Sequence, residues 1–341
     1  MVSWLRRGKG RPGERQLARE QGRVAALAAV SPNMPQCEVE IVRILDGALN
    51  SSGDSVTAAA KLAGDLRQFF RLSESERDAS ELLWKLWMIL LEAVRIVPTE
   101  NPGHAALVGA VKRLRSQGGP VIGLEGCTLQ WADLPHLREY IFDKWYGELA
   151  TELLGTYKRA GTDQIPAKIP RTWTTTLQRR WTRGESSTSF ASQLLSDDYM
   201  ALILLPYWEI RASLETPPPK DAAVFECKLW VATEWLTRCA QLLHKDLGSA
   251  PPEGLDEEEQ ANIAPGPLCA GVYPQSLERW NFWRSRLSEI ASAKPSRGED
   301  GAGGDIVKDI DGQPAPSSAS LDRIKQAIAV MDAANNGAEG Q

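Results

Sequence analysis

The sequence predicts an all-α protein: a single irregular multi-helix bundle with a disordered N-terminal tail and a C-terminal linker that leads to a docking helix. Three observations carry that expectation. Apolar residues recur at spacings of three and four along nearly every stretch after Cys37, the period of a helix with one buried face. Strand alternation and Asn-Gly hairpin turns are missing outside the C-terminal tail. Twelve tryptophans suit thick contacts between helices, built from large rings. The boundaries follow composition: a basic tail over 1–35, a helical domain over 36–293, a linker over 294–319, and a helix over 320–336 packing back on the domain.

Residues 1–35 carry seven Arg or Lys against Glu14 and Glu20. The two acids, with Gly8, Gly10, Pro12 and Gly13, fit a mitochondrial presequence poorly, so a solvated tail is the better reading. Val39, Val42 and Leu45 open the first helix, which Gly53 and Asp54 break. Val56, Ala59, Ala60, Ala63 and Leu66 carry the second. Ser73, with Glu76 three residues on, has the form of a capping box for a long third helix. That helix is polar only along Glu81, Lys85, Glu92 and Arg95, so protein nearly surrounds it at the centre of the domain; Pro98 and Pro102 end it.

A shorter helix follows over His104–Gln117, then a glycine-rich connection without the spacing of a phosphate loop. Asp133 is placed to cap the next helix, with Pro135 in its first turn and Leu137, Ile141, Trp145, Leu149 and Leu153 repeating every four residues. A helix around Trp173–Arg183 groups Arg179, Arg180 and Arg183 with Trp173 and Trp181. Ser196–Glu215 reads as a helix kinked at Pro206 and stopped by Pro217–Pro219. The longest regular pattern is Phe225, Leu229, Ala232, Leu236, Cys239 and Leu243, closed by Gly248. An acidic loop covers 249–265, and Leu321, Ile324, Ile328 and Met331 mark the terminal helix.

The densest aromatic and basic cluster is Tyr273–Ala293. Ser276 can cap a helix there, with Glu278 in the first turn where the dipole favours a carboxylate. Leu277, Trp280, Trp283, Leu287 and Ile290 fall on one core stripe. Phe282 lies off it, beside Arg279 and Arg286, within reach of guanidinium-on-ring contacts. Arg279, Phe282 and Arg286 therefore make either the seam with a second helix or an exposed cationic surface for an acidic partner. Gly266, Pro267 and Leu268, then Ser276, Leu277, Glu278, Arg279, Trp280, Phe282, Trp283 and Arg284, resemble the C-terminal signature of a filamentous-fungal family known only as a domain of unknown function. Cys269, Ala270 and Gly271 stand where that family has Trp-Lys-Gly. The similarity reaches back to about Cys37, and it implies an all-helical intracellular fungal protein with no assigned activity.

Composition narrows the function classes. A net charge of −5 gives no general drive toward nucleic acid. Five widely spaced cysteines without Cys-x-x-Cys argue against a disulfide framework or zinc site and fit a reducing compartment, cytoplasmic or nuclear. The most apolar run, Leu82–Leu91, is too short to cross a bilayer. No Gly-x-Ser-x-Gly elbow occurs. His104, His136 and His244 are expected at the surface near helix ends, and His136 with Glu139 is a single reversed version of a di-iron motif. No metal or cofactor is expected, and no catalytic set is visible. The expected function is a non-catalytic protein-interaction module; the alternative is an enzyme or small-ligand binder with a tryptophan-lined pocket between helices.

Overall fold

A computed structural model of the chain describes residues 35–50, 54–124, 126–145, 184–249, 261–292 and 314–338. The described residues are chiefly helical, joined by turns, and an isolated antiparallel bridge links Pro120 and Gln130. They group into two compact units that divide between Phe190 and Ala191, within the span read from sequence as one domain. Residues 1–34 of the tail, Leu149 and Leu153 of the helix expected after Pro135, the Trp173–Arg183 helix with its basic patch, most of the acidic loop and residues 294–313 of the linker lie outside the described residues.

In the first unit α1 (Gln36–Leu49), α2 (Ser55–Phe70), α3 (Glu76–Ile96) and α4 (Pro102–Gln117) are followed by α5 over 137–145. The tightest pair is α2 with α4. Small residues make it possible: Ala59, Ala63, Ala106 and Ala110 are all buried, and a Cβ on Gly109 would stand 2.9 Å from Ala59 Cβ. Any larger side chain there would push the two helices apart. As expected, α3 is buried along Leu83, Leu86, Trp87, Leu90, Ala93 and Val94, while Glu81 and Lys85 are exposed. Its cap is Ser75, not Ser73; the Ser75 hydroxyl accepts the Asp78 N–H at 3.1 Å, and the helix begins at Glu76.

Asp133 does not cap α5. It ends a 3-10 turn over Trp131–Asp133, and Leu134 and His136 then take left-handed φ of 47° and 67° before the helix starts. Such angles are unfavourable for residues with a Cβ and persist only where surroundings hold them. Here α3 does so. Trp87 Nε1 donates to Pro135 O at 2.7 Å, Ser80 Oγ lies 2.7 Å from His136 Nε2, and the His136 ring stacks on Trp84. His104 is another departure from expectation: it is buried, and its Nε2–H donates to Ser186 O at 3.1 Å.

Helix α6 spans 184–195. The second unit then contains α7 (Leu204–Leu214), α8 (Ala222–Leu247), α9 (Leu277–Ser292) and α10 (Ser318–Ala338). Pro206 sits in the first turn of α7, where its missing N–H removes no helical bond, so it starts a helix rather than kinking one. All six stripe residues of α8 are buried, although the backbone departs from helical angles at Cys239. The terminal helix α10 packs chiefly on α8, through Ile324, Ala327, Met331 and Ala334; Ile328 is only half-buried. Glu226 of α8 caps its start, accepting from Ser317 N at 2.6 Å and Ser317 Oγ at 2.9 Å. Arg284 of α9 grips Asp332 through two hydrogen bonds of 2.5 and 2.9 Å.

Candidate functional site

The most concentrated polar chemistry in the second unit lies where the end of α7 meets the start of α9. Glu215 follows the last residue of α7, and its own N–H still bonds Arg211 O at 3.0 Å. Its carboxylate is fully buried, as is the guanidinium of Arg279 from α9. Arg279 Nε reaches Glu215 Oε1 at 2.7 Å and Nη2 reaches Oε2 at 3.1 Å, the two-point geometry in which an Arg–carboxylate pair is strongest. Arg279 Nη1 donates to Ile263 O at 2.6 Å and Pro274 O at 3.0 Å. Glu215 also accepts Trp283 Nε1 and Gly266 N, each at 2.5 Å. Neither charge keeps a water contact, yet both are densely hydrogen-bonded, the condition under which buried ions are tolerated.

Aromatic faces close the cluster. The guanidinium lies 5.4 Å from the ring centres of both Tyr207 and Trp283. Tyr207 donates its hydroxyl to Asp246 Oδ2 at 2.5 Å; burial, with the Asp246 charge, pushes its ionisation far above the usual phenol range. Burial likewise pushes the Cys269 thiol up to about 11, helped by the Glu215 charge. A thiol so shifted is a poor nucleophile at neutral pH.

The pair fastens the loop over 263–276 from both sides. Glu215 O accepts Leu268 N at 2.9 Å, Arg211 Nη1 donates to Ala264 O at 2.9 Å, and Trp208 Nε1 donates to Asn262 O at 2.8 Å. Gly266 is required sterically, since an added Cβ would lie 2.7 Å from Glu215 O and 2.8 Å from Glu215 Cβ. Gly266→Ala is expected to lower stability by about 1–3 kcal/mol through that overlap. Urea denaturation checks this, and an unchanged midpoint would mean the loop moves aside freely.

The residues singled out from sequence separate here. Trp280, Trp283 and Leu287 are fully buried as expected, and Ser276 Oγ accepts Arg279 N at 3.3 Å at the head of α9. Leu277, expected in the core, is 41% exposed. Arg279, expected beside Phe282 and Arg286 either at a seam with a second helix or on an outward cationic surface, is buried against Glu215. Phe282 is half-buried, and Arg286 pairs with Glu289 at 3.0 Å on its own helix. The three are therefore not one exposed patch. Glu215 was missed altogether. Its one sequence signal was a carboxylate at a helix C-terminus, against the dipole, which calls for a cation nearby.

Residues 87–287 match the family described as protein of unknown function (DUF3632), which is more than half of the chain. The chain belongs to the DUF3632 family. Its match starts at Trp87 rather than near Cys37, and includes Tyr207, Glu215, Gly266, Arg279, Trp280 and Trp283 but not α10. No curated protein and no solved structure matches this DUF3632 chain. Among the described residues, no group of three His, Cys, Asp or Glu could hold a metal ion, and no helix is long and apolar enough to cross a membrane. All five cysteines are thiols.

Proposed function

We propose that this DUF3632 chain is a non-catalytic module that binds another protein through the loop fastened by Glu215 and Arg279. One observation carries the reading: the buried pair bonds the loop over 263–276 at Ile263, Gly266 and Pro274, while Leu268 and Tyr273 on that loop, and Leu277 at the head of α9, remain 41%, 56% and 41% exposed. Large apolar side chains displayed on a fixed backbone lose little conformational freedom on binding, which favours association. In the cluster beneath them, the Glu215 and Arg279 groups are engaged with each other and the loop, which supports a structural role for the pair. Five thiols and the lack of disulfides support a reducing compartment, cytoplasmic or nuclear, as the place of action.

The test puts a photo-reactive amino acid at position 273 of the full chain, in its native cells, with and without Leu268→Ser and Leu277→Ser. A discrete protein adduct is expected, and the double substitution should remove it while leaving the melting temperature within about 2 °C, since exposed side chains add little to stability. Adducts unaffected by the double substitution, or none at all, would overturn the reading.

A further inference from the structure

Elsewhere in the second unit, a polar depression of about 360 Å³ opens between α8 and α10 beside Ser196, lined by Ser196, Glu234, Thr237, Arg238, Arg323 and Gln326. It holds two guanidiniums and one carboxylate. Glu234 is buried and bonds Arg238 Nε through Oε1 and Arg323 Nη2, at 2.8 Å, through Oε2. Burial pushes the Glu234 carboxyl up, but the bonds and charges of Arg238 and Arg323 outweigh it and hold it below the usual range. Arg323 is fixed further by its Nε bond to Thr233 Oγ1 at 3.2 Å and by the Trp230 ring, 4.6 Å from its guanidinium carbon. The side chains of Arg238 and Arg323 are 40% and 30% exposed, so both face solvent. Among the described residues, both Nη groups of Arg238, Nη1 of Arg323, the Thr237 hydroxyl and the Gln326 amide make no hydrogen bond. Asp197 and Asp198, next along the chain from Ser196, do not line the depression.

We propose that this depression binds a phosphate monoester, gripped by the outer edges of Arg238 and Arg323 with Thr237 and Gln326 as neutral donors. The charge balance of the lining is positive although the chain as a whole is acidic, so the attraction is local. Converging guanidinium donors suit the three terminal oxygens of a phosphate better than the two of a carboxylate. A depression of this volume also leaves room for the group that bears the phosphate. Titration of the full chain with inorganic phosphate and with O-phosphoserine, at fixed ionic strength, tests the proposal by calorimetry. O-phosphoserine should bind more tightly than inorganic phosphate. Arg238→Met keeps the Glu234–Arg323 pair and should weaken binding about tenfold, the loss of one charge-assisted contact. Glu234→Gln removes the competing negative charge and should tighten binding about tenfold. No binding to the parent chain, equal binding by Arg238→Met, or weaker binding by a normally melting Glu234→Gln would overturn it. Equal affinity for the two ligands would reduce the site to one for the free ion and overturn the monoester assignment. Should Glu234→Gln not fold, Arg238→Met decides alone.

Discussion

Arg279→Ala is expected to lower stability by about 3–5 kcal/mol, because it leaves the Glu215 carboxylate buried without a counter-charge. The variant also strips donors from Ile263 O and Pro274 O, so the loop over 263–276 should loosen with it. Glu215→Ala should cost a similar amount, leaving a buried guanidinium instead. Lysine should not rescue position 279, since a single ammonium cannot reproduce two bonds to the carboxylate and two to backbone carbonyls. Glu215→Leu combined with Arg279→Met should lose much less than the two single losses added together, as both uncompensated charges disappear at once. Recovery should be incomplete, since Trp283 Nε1 and Gly266 N also lose their acceptor. Urea denaturation of the parent, Glu215→Leu alone, Arg279→Met alone and the double variant reads the coupling directly. Additive losses, or an Arg279→Ala variant as stable as the parent, would show that the pair does not hold the loop.

How far the sequence foretold this cluster depends on the kind of inference required. Where one helix buries one face, period alone sufficed: all six stripe residues of α8 are in the core, and α3 hides all but its narrow polar stripe. Start signals were less dependable. Ser73 and Ser75 both have the chemistry of a cap, and only the path of the backbone selected Ser75. At α9, residue type and helical phase point in different directions. At about 100° per residue, the centre of the stripe Trp280, Trp283, Leu287 and Ile290 lies about 60° from Arg279 and about 100° from Leu277. The helix period therefore already favoured burying the arginine. What no local pattern held was the partner, because Glu215 is 64 residues away and its carboxylate meets α9 only once the chain has folded.

Trp280→Ala should be comparably severe, about 3–5 kcal/mol for a large ring removed from a packed site. The loss has a different address, however. The Trp280 ring meets the edge of His244 on α8, and its Nε1 donates to Asn335 Oδ1 on α10 at 2.9 Å. Alanine would remove that bond along with the ring, leaving the Arg284–Asp332 bridge as the polar tie between α9 and α10. That bridge is about 40% exposed on each side, too open to water to hold a helix by itself. Amide exchange should therefore speed up along Ser318–Ala338 in Trp280→Ala, whereas Arg279→Ala should act first on the loop over 263–276. Trp280→Phe separates the two contributions: it keeps most of the apolar contact, so the remaining loss of about 1–3 kcal/mol should reflect the orphaned Asn335 oxygen and the smaller ring. Faster exchange spread evenly over the unit in both alanine variants would show that α10 and the loop are not separately secured, and that both depend on one undivided core.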